Sequence, residues 1–208
     1  SNVIHIVRPG DKELPEQQYR LLNRNKKLLT LDLKTPEGKK QALLLIEQAD
    51  VLIENFRPGV MKRLGLDYAS VKNKNSGLVY LSLPGFASTD KERAHIQAWE
   101  GIVSAATGVY TEMHLFRQML NFPPLYSWVP ILSAYAAING GIAVMAALLA
   151  REAHGFGTVI EVPMADVSKI CVGLRETAYS EANLPEATKP LQYSADDTQS
   201  VQMDKLEK

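Results

Sequence analysis

The stretch Pro130-Ile-Leu-Ser-Ala-Tyr-Ala-Ala-Ile-Asn-Gly-Gly-Ile-Ala-Val-Met-Ala-Ala-Leu148 decides how this chain is read. It lies in a longer run, between Arg117 and Arg151, that carries no charged side chain. Its pattern predicts a helix over 131–153. Ile131 to Ala150 is long enough to span a bilayer. Ser133, Asn139, Gly140 and Gly141 dilute its hydrophobicity, and its small residues let a helix lie close to a neighbour or a sheet. A helix that is apolar all round is buried in protein or in lipid. The rest of the chain reads as soluble α/β, so the expectation is a buried core helix and no membrane span.

Working outward, strand and helix signals alternate. Val3 to Val7 reads as a strand that Arg8-Pro9-Gly10 turns, and Leu28 to Leu33 as a second strand. Thr35-Pro36-Glu37 opens a helix to about Ala49, with Thr as N-cap and Pro at the first helical position. Val51 to Glu54 is a third strand, broken by Asn55 to Gly59. A short helix over Val60 to Leu64 is ended by Gly65, and Asp67 to about Lys74 forms another. Leu78 to Leu83 is a fourth strand, Ile96 to Thr107 a helix, Thr158 to Pro163 a fifth strand, and Met164 to about Ala182 a helix. This order predicts parallel βαβ units. From Asn183 the chain is polar and weakly patterned, and is expected to be partly disordered or to lead into a further domain.

The bulk numbers exclude several classes. In 208 residues, Lys+Arg and Asp+Glu are both 23, so no whole-protein field draws the chain to nucleic acid or an anionic membrane. An anionic ligand needs a local cluster. With 46% hydrophobic residues a packed core is expected. One cysteine, Cys171, makes no internal disulfide and no metal site, which fits a reducing cytoplasm. No signal peptide is expected from the start of the sequence.

Several blocks together resemble the class III CoA-transferases, the formyl-CoA transferase family. Asn23 to Lys27 leading to Leu31-Asp32-Leu33-Lys34-Thr35-Pro36-Glu37-Gly38 is similar to one signature of that family. Ala49-Asp50-Val51-Leu52-Ile53-Glu54-Asn55-Phe56-Arg57-Pro58-Gly59 is similar to a second, and Leu64 to Tyr68 follows at the family's spacing. Glu161 to Asp166 resembles the junction after a helix ending Ala146-Ala147-Leu148. The order of the blocks, over roughly 3 to 180, is more specific than any one of them.

The resemblance implies an α/β fold with a parallel Rossmann-like sheet flanked by helices, the large-domain part of that family's fold. It implies a core at 1–182, incomplete at its N-terminus, and a tail or truncated linker at 183–208. Family members run on into a smaller domain, and two chains interlock as rings. The implied ligand is coenzyme A or acyl-CoA, as substrate. The implied partner is a second CoA-transferase chain, in a homo- or heterodimer, in the cytoplasm, without metal, nucleic acid or membrane.

In that family an aspartate attacks the acyl-CoA thioester to give a mixed anhydride, and CoA thiolate then returns to give an aspartyl thioester. Counting back from Ala146-Ala147-Leu148 puts Ser133 at the aspartate's position. A serine would form an ordinary ester, less reactive toward the next nucleophile, and its hydroxyl needs a base. No Asp or Glu lies between Met113 and Arg151. Ser133 therefore reads as a plain helix-start residue that satisfies a backbone N–H, and no catalytic residue is assigned. Two further departures agree: Arg93 stands where the family often has an aspartate, four residues before Gln97-Ala98, and Gly155-Phe156-Gly157-Thr158 replaces Gly-Arg-Gly-Gln.

The family's nucleotide contacts fall on Leu31, Lys34, Asn55, Phe56 and Arg63. Lys34 and Arg63 suit phosphates, Phe56 suits an adenine face, and Asn55 offers donors and acceptors. Other features read as structural. Asn23 to Lys27 is a solvated patch. Met113, Phe116, Met119 and Phe122 pack under a loop, Trp99 and Trp128 anchor a core or interface, and Cys171 fills an apolar helix. The expected function is a CoA-transferase-like domain that binds CoA but lacks the nucleophile. The rivals are an active transferase or acyl-CoA racemase with a catalytic group from elsewhere, and a structural subunit without ligand.

Overall fold

The computed structural model describes residues 2–10, 20–112, 123, 126–127 and 129–172. The elements run β1 (Val3–Val7), β2 (Lys26–Thr30), α1 (Pro36–Glu47), β3 (Val51–Glu54), α2 (Val60–Leu64), α3 (Tyr68–Val71), β4 (Val79–Ser82), α4 (Glu100–Ala106), α5 (Val109–Glu112), α6 (Ile131–His154), β5 (Val159–Glu161) and α7 (Met164–Val172). The tail from 173 on, the Met/Phe loop, Trp128 and the side chain of Cys171 lie outside the described residues.

Every strand pair is parallel, as the alternation predicts. β1 pairs β2 with Val3 opposite Lys26. β4 lies between β3 and β5, with Val51 opposite Val79 and Tyr80 opposite Val159. Parallel neighbours need crossover connections, and α2–α3 and α4–α6 supply them here. The single expected sheet is two ladders among the described residues, one of two strands and one of three. β2 stops short of the expected Leu33 because the chain turns: Thr35 N–H donates to the Asp32 carbonyl at 3.1 Å and Lys34 N–H to Asp32 Oδ1 at 3.0 Å.

The core sits around β4, whose Val79, Tyr80 and Leu81 are buried, as a central strand's residues are. Ala42 and Ile46 of α1 pack with Met61, Leu66, Val71, Leu78 and Tyr80 in one cluster, and Phe86, Val103, Val109 and Leu132 form a second. Each fully buried Leu or Val contributes on the order of 1.5–3 kcal/mol.

Local signals act as the sequence predicts at several ends. Thr35 Oγ1 accepts the Gly38 N–H at 3.1 Å to cap α1, and Gly65 closes α2 in the left-handed region. A side chain at Gly157 would overlap the Leu78 carbonyl, so β5 can approach β4 only through glycine. The helix expected from Ile96 begins only at Glu100. Trp99 is its N-cap residue and is 54% exposed, not a core anchor.

Helix α6 departs from expectation. One face packs: Leu132, Ala136, Gly140 and Ala147 are buried, and Gly140 lets the helix lie on Leu81 and Leu83. Its other face is open, with only 22% of its most apolar window buried. A uniformly apolar sequence does not reveal which side finds a neighbour.

Candidate functional site

The start of α6 carries the position in question. Pro130 is the N-cap residue, and its ring has no group to accept the orphan N–H donors of the first turn. Ser133 is therefore not the cap that its sequence position suggests. It is the third residue of the helix, and its hydroxyl donates instead of accepting. The partner is Glu100, on the first turn of α4. Glu100 Oε1 accepts the Leu132 N–H at 2.8 Å, and Oε2 accepts the Ser133 N–H at 2.8 Å and the Ser133 Oγ–H at 2.6 Å. A carboxylate from another helix thus does the N-cap's work, where helix dipole and N–H groups favour negative charge.

Glu100 is not legible around Ser133 in the sequence, because the segment from Met113 to Arg151 holds no Asp or Glu. The residue sits 33 positions before Ser133, directly after Gln97-Ala98-Trp99. That neighbouring Gln-Ala pair was the signal available. Glu100 also lines a cleft of about 30 Å³ with Ser104, Val109, Tyr110, Ser127, Val129 and Ile131, room for about one water. Met164 Sδ lies 3.7 Å from Ser133 Oγ on the other side.

The anticipated nucleotide contacts fall in two groups, after β2 and after β3. Ligands of open α/β sheets bind beyond the carboxyl ends of such strands. Lys34, Asn55, Phe56 and Arg63 are exposed. Arg63 folds back over the turn, close to Gly59. Leu31 is 6% exposed and offers little surface to a ligand. The turn after β3 is held by Glu54, whose Oε2 accepts the Phe56 N–H at 2.8 Å. Burial pushes the Glu54 carboxyl above the ordinary glutamate range. The Ser82 hydroxyl and Phe56 N–H oppose the rise, and the nearby Glu161 carboxylate adds to it.

The Arg93 departure also has a structural account. Arg93 Nε bonds Asp90 Oδ2 at 2.7 Å, and its guanidinium lies 5.4 Å from the centre of the Phe86 ring. It tethers its own loop. Among the described residues no group of three or more His, Cys, Asp or Glu could hold a metal ion.

A family model described as CoA-transferase family III matches residues 5–197. This chain belongs to that family. It is 41% identical over 191 residues to the CoA-transferase/lyase DddD of Marinomonas sp. (strain MWYL1), covering 92% of this chain and 23% of that protein. It is 31% identical over 189 residues to the formyl-CoA:oxalate CoA-transferase of Escherichia coli O139:H28, covering 85% of this chain and 44% of that protein. Among solved structures, Rv3272 of Mycobacterium tuberculosis, in a mutant form, matches with a TM-score of 0.76 and 28% identity, over 89% of this chain and 51% of that one. A CAIB/BAIF family protein from Brucella suis matches with a TM-score of 0.67 and 26% identity, over 80% and 42%. The family III chain therefore spans less than half the length of these curated relatives.

Proposed function

We propose that this chain is a family III CoA-transferase domain that binds CoA or acyl-CoA without itself carrying the acyl group, and that works beside a catalytically competent domain or chain of the same family. The observation that carries this reading is the state of Ser133. Its hydroxyl stands at the position of the family's nucleophile and is committed as a donor to Glu100. A hydroxyl in that position has no carbonyl carbon of its own, so it cannot hold CoA as the enzyme-bound thioester through which that family moves it.

CoA binding is supported by the turn after β3, by Arg63 close to that turn, and by Lys34 after β2. Phe56 offers an open ring face, and Lys34 and Arg63 are exposed cations suited to phosphates. A partner domain is supported by lengths. Matches of similar size cover 23% of the first relative and 44% of the second, so the first is about twice as long and has room for two such modules.

Calorimetry with CoA tests the binding reading. Saturable heat that weakens about tenfold or more in Lys34→Ala or Arg63→Ala supports it, on the scale of a charge-assisted contact. No heat at millimolar CoA leaves a structural subunit.

One observation favours an active alternative: Glu100 is a carboxylate within hydrogen-bond reach of the nucleophile position. Its oxygen would attack the thioester carbonyl and expel CoA thiolate, leaving a mixed anhydride. The thiolate would then attack the glutamyl carbonyl and release the donor acid. Three donors already occupy Glu100, which lowers its nucleophilicity. Incubation with acyl-CoA and hydroxylamine, followed by mass spectrometry, decides. A hydroxamate at Glu100 that is absent in Glu100→Gln overturns the non-catalytic reading.

A further inference from the structure

The last residues of three neighbouring strands stand in one row. Glu54 of β3 lies opposite Ser82 of β4, and Ser82 lies opposite Glu161 of β5. Register partners in parallel strands share a face, so two carboxylates flank one hydroxyl at the carboxyl edge of the three-stranded ladder. Each carboxylate reaches off the sheet to a different loop. Glu54 Oε2 accepts the Phe56 N–H at 2.8 Å, in the turn after β3. Glu161 Oε1 accepts the Ser88 N–H at 2.8 Å, in the loop after β4. We propose that Glu54 and Glu161 are positioning residues that hold these two loops as the walls of the CoA crevice, with the row Glu54, Ser82 and Glu161 at its floor.

The place is the one where a ligand of an open α/β sheet sits, beyond the carboxyl ends of adjacent strands. The loop after β4 is anchored at its root by α7, where the Met164 and Ala165 N–H groups donate to the Pro84 and Gly85 carbonyls at 2.9 and 3.0 Å. Past buried Phe86 it emerges at exposed Ser88 and Thr89, and there the Glu161 contact bridges 73 positions of sequence. The two loops also meet, since the Arg57 guanidinium donates to the His95 carbonyl at 3.4 Å.

As plain structure the row is expensive. Burial disfavours an ionised Glu54, and the Glu161 carboxylate facing it across Ser82 adds to that. The Phe56 N–H lies at an exposed turn, where water or a neutral side chain would satisfy it without that cost. Ionisable groups held in disfavoured states cluster where ligands bind. Both carboxylates direct their charge at loop N–H groups, which leaves the phosphates to Lys34 and Arg63. The inference rests on the CoA-binding reading and adds to it the groups that shape the site.

Calorimetry with CoA on the whole 208-residue chain tests it, with every variant fully folded by circular dichroism. Glu54→Ala and Glu161→Ala should each weaken CoA binding about three- to tenfold, the scale of one hydrogen bond. Glu54→Gln and Glu161→Gln keep an acceptor for the loop N–H and should bind within about twofold of the parent, although each has lost its charge. Amide exchange by NMR reads the walls without CoA. The Phe56 N–H should exchange faster in Glu54→Ala and the Ser88 N–H faster in Glu161→Ala, and both should stay at the parent rate in the glutamine variants. Alanine variants that bind CoA like the parent, while Arg63→Ala does not, overturn this inference and leave CoA binding standing. Unchanged exchange in the alanine variants, or glutamine variants as weak as the alanine ones, overturns it as well. No heat from the parent at millimolar CoA overturns both readings.

Discussion

Placing an aspartate at position 133 should damage this fold unless Glu100 is changed with it. In the native arrangement Glu100 accepts three hydrogen bonds, one of them from the Ser133 hydroxyl at 2.6 Å. Ser133→Asp removes that donor and sets a second carboxylate about 4 Å away. Two like charges at that distance cost about 4 kcal/mol at an effective dielectric constant of 20. Ser133 is exposed, so solvent and salt reduce the penalty. The helix N-terminus returns about 0.3–1 kcal/mol for the added negative charge. The net expectation is a loss of about 1–3 kcal/mol at pH 7. In Ser133→Asp with Glu100→Gln the repulsion is gone and the amide can donate to the new carboxylate, so most of the loss should return.

Urea unfolding of the four proteins at pH 7 and near pH 4 measures this as a double-mutant cycle. The sign with pH is fixed. Repulsion raises the folded-state pKa of the new pair, so the penalty is full at neutral pH and fades as pH falls and one carboxyl takes a proton. A Ser133→Asp protein as stable as the parent at pH 7, or a cycle with no coupling, would refute the Glu100 clamp. The same cycle bears on function. Only the double variant presents an unclashed carboxylate at position 133, so under the proposed function only it should form a hydroxylamine-sensitive adduct with acyl-CoA.

Two further outcomes follow from the sheet. Glu54 has its folded-state pKa raised by burial, so it opposes folding above the unfolded glutamate value of 4.5 and ceases to do so as pH falls through that value. Glu54→Gln should therefore gain stability relative to the parent at pH 7 and lose that advantage near pH 4, read from urea midpoints at each pH; an advantage independent of pH refutes the assignment. Gly157→Ala should cost more than about 3 kcal/mol, because the added methyl meets the Leu78 backbone carbonyl, which cannot swing aside; a thermal midpoint within about 2 °C of the parent would show that β5 is not held against β4 as described.

The elements whose signals are local were legible in the sequence. Thr35-Pro36 and Gly65 mark helix ends through their own backbone chemistry, and β1 and β3 fall where their apolar runs do. Strand length was less legible. Leu31 and Leu33 look like strand residues, but the Asp32 turn takes them out of β2 into the segment that leads to α1. The site was legible as a list of residue types and not as a set of contacts. Ser133 was found by counting, and Glu100, its partner, was not, because no local rule links the first turn of one helix to the first turn of another. The burial of α6 was misjudged for the same reason. A sequence apolar on every side states that partners exist and does not say where they are.

The Glu100–Ser133 contact also bears on whether Glu100 could carry an acyl group. An acyl relay needs a carboxylate that is accessible and free to leave its hydrogen bonds as it becomes an anhydride and then a thioester. At the start of α6 this chain has a carboxylate with the opposite duties. Glu100 holds the first turn of one helix from the first turn of another, and its acylation would release both N–H groups and the Ser133 hydroxyl at once. Of these only the Leu132 N–H is half-buried, where a donor left unpaired costs about 1–3 kcal/mol. The side chain that stabilises the fold at this point is therefore a poor nucleophile for the same physical reason, and replacing Ser133 alone creates a conflict with it. The CoA contacts proposed after β2 and β3 and at Arg63 depend on neither residue. That separation predicts that Glu100→Gln, whatever it costs in stability, leaves the CoA-binding heat unchanged, whereas Arg63→Ala removes heat without moving the unfolding midpoint.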